Sequence, residues 1–350
     1  MALHPIIAED VDSILAAPLP WDRLDGRTIL VTGAAGFLGS YLTETLLRRN
    51  ERAGNGASRV VGLVRDGRRA AQRFSHHRHR ADLRWLVQDA AEPPPGDLHA
   101  DVIVHAASQA SPRYYGLDPV GTMRPNVVGT DHLLRFAARC RAERFLFVST
   151  SEVYGNVPPD RNPIREDEPG AVDPAAVRSC YAESKRAGET LCVAYRRQMG
   201  VPTVIVRPFH TYGPGLAPGD GRVFADFVEC VVAGRDIVLT SDGRALRAFC
   251  YVSDAIRGIL TALFQGGDGE PYNVGNEQSE SSIRALAELL VGLFPDRRLK
   301  VVRQPVDEKS GYIPSAVARN CPDTSKLRAL GWSPTIGLAE GFRRTVRSAE

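Results

Sequence analysis

The sequence has no long apolar run. No stretch approaches the ~20 residues that a helix needs to span a bilayer, which excludes a helical membrane protein. Nor does a basic segment followed by an apolar one open the chain, because Glu9, Asp10 and Asp12 come too early for a secretory leader. The six cysteines (Cys140, Cys180, Cys192, Cys230, Cys250 and Cys321) are scattered and include no CxxC pair. They read as small buried hydrophobes in a reducing compartment rather than as a disulfide framework, and the expected location is the cytoplasm. Charge of one sign is also scarce: the formal net charge is only +3, too small to argue for nucleic acid or an anionic membrane. One basic run stands out, with Arg68, Arg69, Arg73, Arg78 and Arg80 interleaved with His76, His77 and His79. It carries no aromatic stacking platform beyond Phe74 and reads as a solvated loop. Its histidines have no Cys, Asp or Glu at ligand spacing, so no metal site is expected.

What is present is an alternation. The 350 residues suffice for one large domain or two intimately joined ones. Residues 1–26 form an N-terminal extension of weak helical periodicity, ended by Pro18 and Pro20. From residue 27, short β-branched runs alternate with amphipathic stretches. Strands are expected at 28–32, 59–65, 83–88, 101–105, 144–149 and 202–207, and helices at 36–50, 125–140 and 179–199. This rhythm predicts an α/β fold, a Rossmann-type doubly wound parallel sheet, over 27–207. After Pro208, glycine and proline become dense over 213–221, and helices are expected at 223–233 and 282–294. The region 208–350 therefore reads as a smaller, mainly substrate-binding part, with a segment near 240–278 returning to the nucleotide-binding domain.

Gly33-Ala34-Ala35-Gly36-Phe37-Leu38-Gly39 follows the first strand and opens the first helix. Glycines at this spacing allow a tight turn, close backbone approach to a pyrophosphate and close helix–sheet packing, with the helix N-terminus facing the negative charge. The second strand ends Leu63-Val64-Arg65-Asp66. Val64 stands where an acid would bind the ribose 2′-hydroxyl and select NAD. Arg65 could pair with a 2′-phosphate or stack on adenine, and Asp66 could still reach the ribose, so NAD is expected with NADP open. Asp89, just after the third strand, suits the adenine amino group or a simple loop cap.

Tyr181 and Lys185 stand four residues apart and share one helix face. A phenol near pKa ~10 is a poor base at neutral pH, and an adjacent ammonium favours the phenolate. Ser149-Thr150-Ser151-Glu152-Val153-Tyr154-Gly155 lies at the end of a strand, where ligands of open parallel sheets collect.

Together these stretches resemble the extended short-chain dehydrogenase/reductases acting on nucleotide sugars, the NAD-dependent epimerase/dehydratase family, and within it the UDP-glucuronate decarboxylases. The resemblance covers roughly residues 27–345. It runs through Ala110-Ser111-Pro112, Asn126-Val127-Val128-Gly129-Thr130, Cys180-Tyr181…Lys185-Arg186, Thr211-Tyr212-Gly213-Pro214, Asp220-Gly221-Arg222-Val223, 247–254 and Leu330-Gly331-Trp332. It implies that Ala106, Ala107 and Pro208 join Gly33, Gly36, Phe37, Leu38, Gly39, Arg65, Asp66, Asp89, Tyr181 and Lys185 around the dinucleotide. Catalysis is implied for Tyr181, Lys185, Thr150, Ser151, Glu152 and Arg319. The family chemistry is oxidation at C4 of the sugar by NAD⁺, after which a 6-carboxylate leaves as CO₂ from the 4-keto acid and reduction yields a UDP-pentose. A 4,6-dehydratase of the family typically has Asp-Glu at positions 151–152 and a 4-epimerase small residues. Ser151-Glu152 resembles the decarboxylase pattern, with epimerisation or 4,6-dehydration as alternatives. By the same resemblance Arg319 orients the substrate carboxylate, the alternative being a surface ion pair. Tyr114, Tyr115, His210, Arg222 and Arg247 line the substrate site, the two arginines facing the diphosphate. His210 replaces a frequent asparagine, and 239–243 lacks the usual stretch near the base, so the nucleotide base stays open. A homodimer through the helices at 125–140 and 179–199 is implied as well, with a nucleotide sugar, and neither nucleic acid nor membrane, as partner.

Overall fold

The computed structural model describes residues 3–217, 219–304 and 317–350. In chain order its main elements begin with α1 (Pro5–Leu15), β1 (Thr28–Thr32), α2 (Phe37–Arg52), β2 (Arg59–Val64), α3 (Gly67–Arg73), β3 (Leu83–Val87) and β4 (Val102–His105). There follow α4 (Pro112–Leu117), α5 (Pro119–Cys140), β5 (Arg144–Val148), α6 (Cys180–Met199), β6 (Thr203–Pro208), β7 (Thr211–Tyr212) and α7 (Val223–Val232). The remainder comprises β8 (Ile237–Leu239), β9 (Leu246–Ala248), β10 (Cys250–Tyr251), α8 (Val252–Gln265), β11 (Pro271–Val274), β12 (Glu280–Ser282), α9 (Ile283–Leu293), β13 (Val301–Arg303), β14 (Arg319–Asn320), α10 (Ser325–Arg328) and α11 (Leu338–Arg347).

Seven strands form one sheet in the order β11-β6-β5-β4-β1-β2-β3, every pair parallel. The expected doubly wound sheet is there, and β11 carries the chain back to it from the C-terminal region. The strands are apolar on both faces because helices cover both. On β1, Ile29 and Val31 pack into one cluster with Tyr41, Leu46 and Ile259, while Leu30 packs into the other with Leu133, Leu134 and Cys192. The period of two thus divides one strand between two cores.

The helix expected at 125–140 begins six residues earlier, at Pro119. Asp118 caps it by accepting the Gly121 N–H at 3.0 Å, and a proline is tolerated in the first turn, where no helical donor is lost. Pro125 lies inside the helix rather than at its start. The largest correction concerns the basic run. It is no solvated loop: Asp66 caps α3 by accepting the N–H groups of Arg68 and Arg69. Phe74 is buried against Trp85 at a ring separation of 5.0 Å. The N-terminal extension also packs on the body, since the Asp10 carboxylate accepts hydrogen bonds from the hydroxyls of Tyr41 (3.0 Å) and Tyr251 (2.9 Å). All six cysteines are free, four of them buried. No described helix is long and apolar enough to cross a membrane.

Candidate active site

The glycine loop joins β1 to α2, and two of its three glycines, Gly33 and Gly39, are required sterically, while the third is tightly packed. Gly33 has φ of +66°, and a Cβ there would meet the Ala107 backbone at 2.8 Å. A Cβ on Gly36 would sit 3.0 Å from the Gly33 carbonyl oxygen, and one on Gly39 only 2.1 Å from it. The N-terminus of α2 therefore opens onto a cavity of about 390 Å³ lined by Gly33, Gly36, Arg65, Asp66, Asp89, Ala107 and Ser108. Phe37 and Leu38, by contrast, pack against the hydrophobic core on the first turn of α2. The cavity is the right place for a dinucleotide, and the Ser108 Oγ on its wall is buried without a protein partner. Arg65 and Asp66 are both exposed at its rim, and the Asp66 carboxylate is engaged in capping α3. Asp89 likewise accepts the Ala91 N–H at 2.8 Å. Ala106 directly follows β4 and Pro208 ends β6, both at the edge of the sheet where the strands terminate.

His105, at the end of β4, was not singled out from sequence. Thr32 Oγ1 accepts the Ala107 N–H at 3.1 Å and lies 2.8 Å from His105 Nδ1, so its hydroxyl proton is directed at that nitrogen. The ring proton is then on Nε2, which donates to the Pro125 carbonyl at 3.1 Å. Complete burial, with the Lys185 charge nearby, pushes this imidazole down to about 3, so it is neutral. It fixes β1, β4 and α5 together beneath the cavity.

Tyr181 and Lys185 are both buried on α6, facing the end of β5. Lys185 Nζ donates to the Val148 carbonyl at 2.6 Å and sits 4.7 Å over the Phe147 ring. Burial lowers its pKa to about 7, against the pull of Glu189. Glu189 is itself clamped by Ser149 Oγ at 2.5 Å and by Arg207 at 2.9 and 2.6 Å. The Tyr181 phenol has its pKa raised, first by burial and then by the Glu152 charge, while Thr150 and Arg222 pull it down. This differs from the simple expectation of a phenolate favoured by its neighbouring ammonium: helical spacing aligns the two side chains, but the Lys185 ammonium is spent on Val148. Thr150 and Ser151 are buried, and Glu152 is half-buried. Glu152 pairs with Arg178 at 3.2 Å, and the Arg178 guanidinium lies 5.8 Å from the Tyr115 ring centre. Arg178 was missed, although its place three residues before Tyr181 in the approach to α6 is a signal available in the sequence.

On the substrate side the structure separates the two tyrosines. Tyr114 is 41 % exposed, whereas Tyr115 is 1 % exposed and donates its hydroxyl proton to the Ala110 carbonyl. Arg222 is held by Asp220, with Nη2 2.9 Å from Oδ2, and its positive charge acts on Tyr181 and on His210. Arg247 donates to the carbonyls of Leu246 and Val317, each at 2.8 Å. Burial, with Arg247 and Arg222 adding to it, pushes His210 down to about 3, and its Nδ1 is buried without a protein partner. The charges of both guanidinium groups act on this neutral imidazole, and that of Arg222 is balanced by Asp220. Arg319 makes the ion pair: on β14, beside the strand that carries Arg247, its guanidinium grips Glu280 of β12 at 2.7 and 3.0 Å. The basis is local, since β14 and β12 both flank β9.

The model of the NAD dependent epimerase/dehydratase family matches residues 29–275. The chain belongs to that family. As a member of the epimerase/dehydratase family it is 37% identical over 319 residues to UDP-glucuronic acid decarboxylase 6 of Arabidopsis thaliana, covering 90% of this chain and 86% of that one. It is 35% identical over 325 residues to UDP-glucuronic acid decarboxylase 1 of Xenopus tropicalis, covering 92% of this chain and 72% of that one. Among solved structures it is similar to UDP-glucuronic acid 4-epimerase from Bacillus cereus in complex with UDP-glucuronic acid and NAD (TM-score 0.76, 26% identity, 92% of this chain and 98% of that one). The cofactor of this epimerase/dehydratase-family protein is NAD.

Proposed function

We propose that this protein decarboxylates UDP-glucuronate to a UDP-pentose, with NAD held at the glycine loop. The observation that carries the reading is the group at the end of β5: Glu152, held by Arg178 and acting electrostatically on Tyr181, next to Ser151 where a dehydratase has a second acid. The similarity to named UDP-glucuronic acid decarboxylases over most of the chain supports the same reaction.

When bound, NAD would supply the hydride acceptor for C4 and the hydride for the later reduction. Gly33, Gly36 and Gly39 leave room for its pyrophosphate, and Ser108, Arg65 and Asp66 border the rest of its cavity. Tyr181, whose phenol is held protonated by burial, would take the proton of the sugar 4-hydroxyl once the positive charge of bound NAD favours its phenolate, with Thr150 bonded to the same oxygen. The 4-ketone so formed is β to the 6-carboxylate, so breaking the C5–C6 bond releases CO₂ and leaves its electron pair in an enolate. Tyr181 and Thr150 face the enolate oxygen and stabilise it as charge develops. Glu152 and Ser151 position the carboxylate region and the water that protonates C5. Arg222, Arg247 and His210 receive the diphosphate. Arg319 acts through its ion pair with Glu280, which steadies the small sheet at the mouth of the site. Incubating purified protein with UDP-glucuronate should release CO₂ and form a UDP-pentose; formation of UDP-galacturonate without CO₂ would overturn the proposal in favour of the 4-epimerase.

We further propose a homodimer through α5 and α6. Val120 (67 % exposed), Val128 (41 %) and Val193 (49 %) leave apolar surface along these helices. The free cysteines and the absence of a membrane-spanning helix among the described residues support a cytoplasmic location. Sedimentation equilibrium reporting a monomer at micromolar concentration would remove the dimer.

A further inference from the structure

A second cluster lies away from the catalytic group, between α2 and the turn that follows α3. Glu44, on α2, is 5 % exposed, yet its carboxylate faces two consecutive histidines. His76 Nε2 lies 2.8 Å from Glu44 Oε1 and His77 Nε2 lies 2.7 Å from Glu44 Oε2. The imidazole centres are 4.1 Å apart, and the Phe74 ring stacks behind both, at 6.3 and 6.4 Å. The candidate ligand atoms of the three residues all lie within 4.8 Å of one another, the one such group among the described residues.

We infer that Glu44, His76 and His77 bind one divalent transition-metal ion of the zinc class, which ties α2 to the turn after α3. Consecutive side chains ordinarily diverge, and here two imidazole nitrogens converge on one carboxylate. Burying an ionised carboxylate costs several kcal/mol unless it is compensated, and a dication compensates it more fully than two N–H donors alone. Arg73, the nearby cation, directs a guanidinium nitrogen at the Gly215 carbonyl instead, at 3.2 Å. Two imidazole nitrogens with one carboxylate form a donor set that zinc and its neighbours accept, at about 2.0–2.2 Å per bond. Ligand atoms at such distances around one tetrahedral ion are separated by roughly 3.4 Å, so the two histidine–carboxylate spacings of 2.8 and 2.7 Å open by somewhat more than half an ångström on binding, within a group whose atoms all lie within 4.8 Å. Each ring offers its Nε2 lone pair to the ion, with any remaining ring proton on Nδ1. The three side chains retain 7–15 % of their exposure, enough for water to complete the coordination. Because Asp66, at the rim of the NAD cavity, caps the same α3, the ion would stiffen the adenosine side of that cavity.

The test uses the full-length protein, freed of metal by chelator and titrated with zinc chloride alone. The expected result is one tightly held zinc per chain after desalting, with a raised melting temperature. X-ray absorption should show two imidazole nitrogens and oxygen around the zinc. Glu44→Gln keeps the size and one hydrogen-bond acceptor, and should weaken zinc binding at least about tenfold; His76→Asn with His77→Asn should do the same, and His79→Asn should not. Zinc that washes off the unaltered protein, or an absorption spectrum without two imidazoles, overturns the inference. So does equal affinity in Glu44→Gln and the unaltered protein. The spectrum of the unaltered protein decides the matter even where a variant fails to fold.

Discussion

The rings of Tyr115 and Tyr181 are stacked, 5.0 Å between centres and 14° between planes. The residue proposed to move the proton at C4 therefore has its ring plane held by a buried neighbour, whose hydroxyl is committed to the Ala110 carbonyl. Tyr115 orients Tyr181, and the exposed Tyr114 is the tyrosine left to meet a sugar. Tyr115→Phe keeps the stack and loses one hydrogen bond, so it should cost about 1 kcal/mol of stability and leave kcat nearly unchanged. Tyr115→Ala removes the ring and should cost about 3–5 kcal/mol, with kcat falling. Thermal melts and steady-state rates on the two variants separate these outcomes.

Tyr181→Phe removes the phenolic proton carrier while keeping the stacked ring. Turnover should fall about 10²–10⁴-fold with NAD affinity retained. Rates alongside NAD fluorescence titration check it; a loss of only a few-fold would reassign the proton to another group.

Glu152 and Arg178 should behave as a coupled pair. Glu152→Gln keeps the shape and removes the charge, and CO₂ release should fall by about 10²-fold or more. Arg178→Lys keeps a charge but loses the planar fork and should recover part of the activity that Arg178→Ala loses. Product analysis by mass spectrometry should also show any 4-keto sugar that escapes before reduction.

His105 and His210 make folding acid-sensitive. Each is pushed down to about 3 from an ordinary value of 6.5, so between these limits the unfolded chain binds protons that the native one refuses. Stability is therefore complete above about 6.5 and lost as pH falls, at up to about 1.4 kcal/mol per pH unit for each histidine. Urea unfolding at pH 7 and 5 measures the slope. His210→Asn should reduce it, and an unchanged slope would mean that the ring is protonated in the native state.

Gly39→Ala places a Cβ 2.1 Å from the Gly33 carbonyl oxygen, backbone against backbone, with no flexible atom to yield. NAD binding should be lost and the melting temperature should fall. Calorimetry with NAD tests this directly, and binding at the native affinity would place the dinucleotide elsewhere.

Much of this protein could be read from local pattern. The alternation of β-branched and amphipathic stretches told of the parallel sheet, because strands buried on both faces must be apolar throughout. The glycine spacing and the four-residue step from Tyr181 to Lys185 are features of contiguous chain, and the structure places both groups at the same edge of the sheet. Boundaries shifted where a cap lay outside the apolar pattern, as with Asp118 and Pro119 at the start of α5.

By itself, then, the sequence determined the fold class, the dinucleotide loop and the identity of the residues at the ends of β5 and α6. Only the tertiary structure decided which side chains oppose one another. It set Arg178 against Glu152, Arg319 against Glu280, Tyr115 under Tyr181, and Glu44 against two histidines more than thirty positions away. The reason is physical: periodicity reports which face a residue presents, whereas a charge partner is chosen by whatever element packs on that face, and that depends on the path of the chain through space.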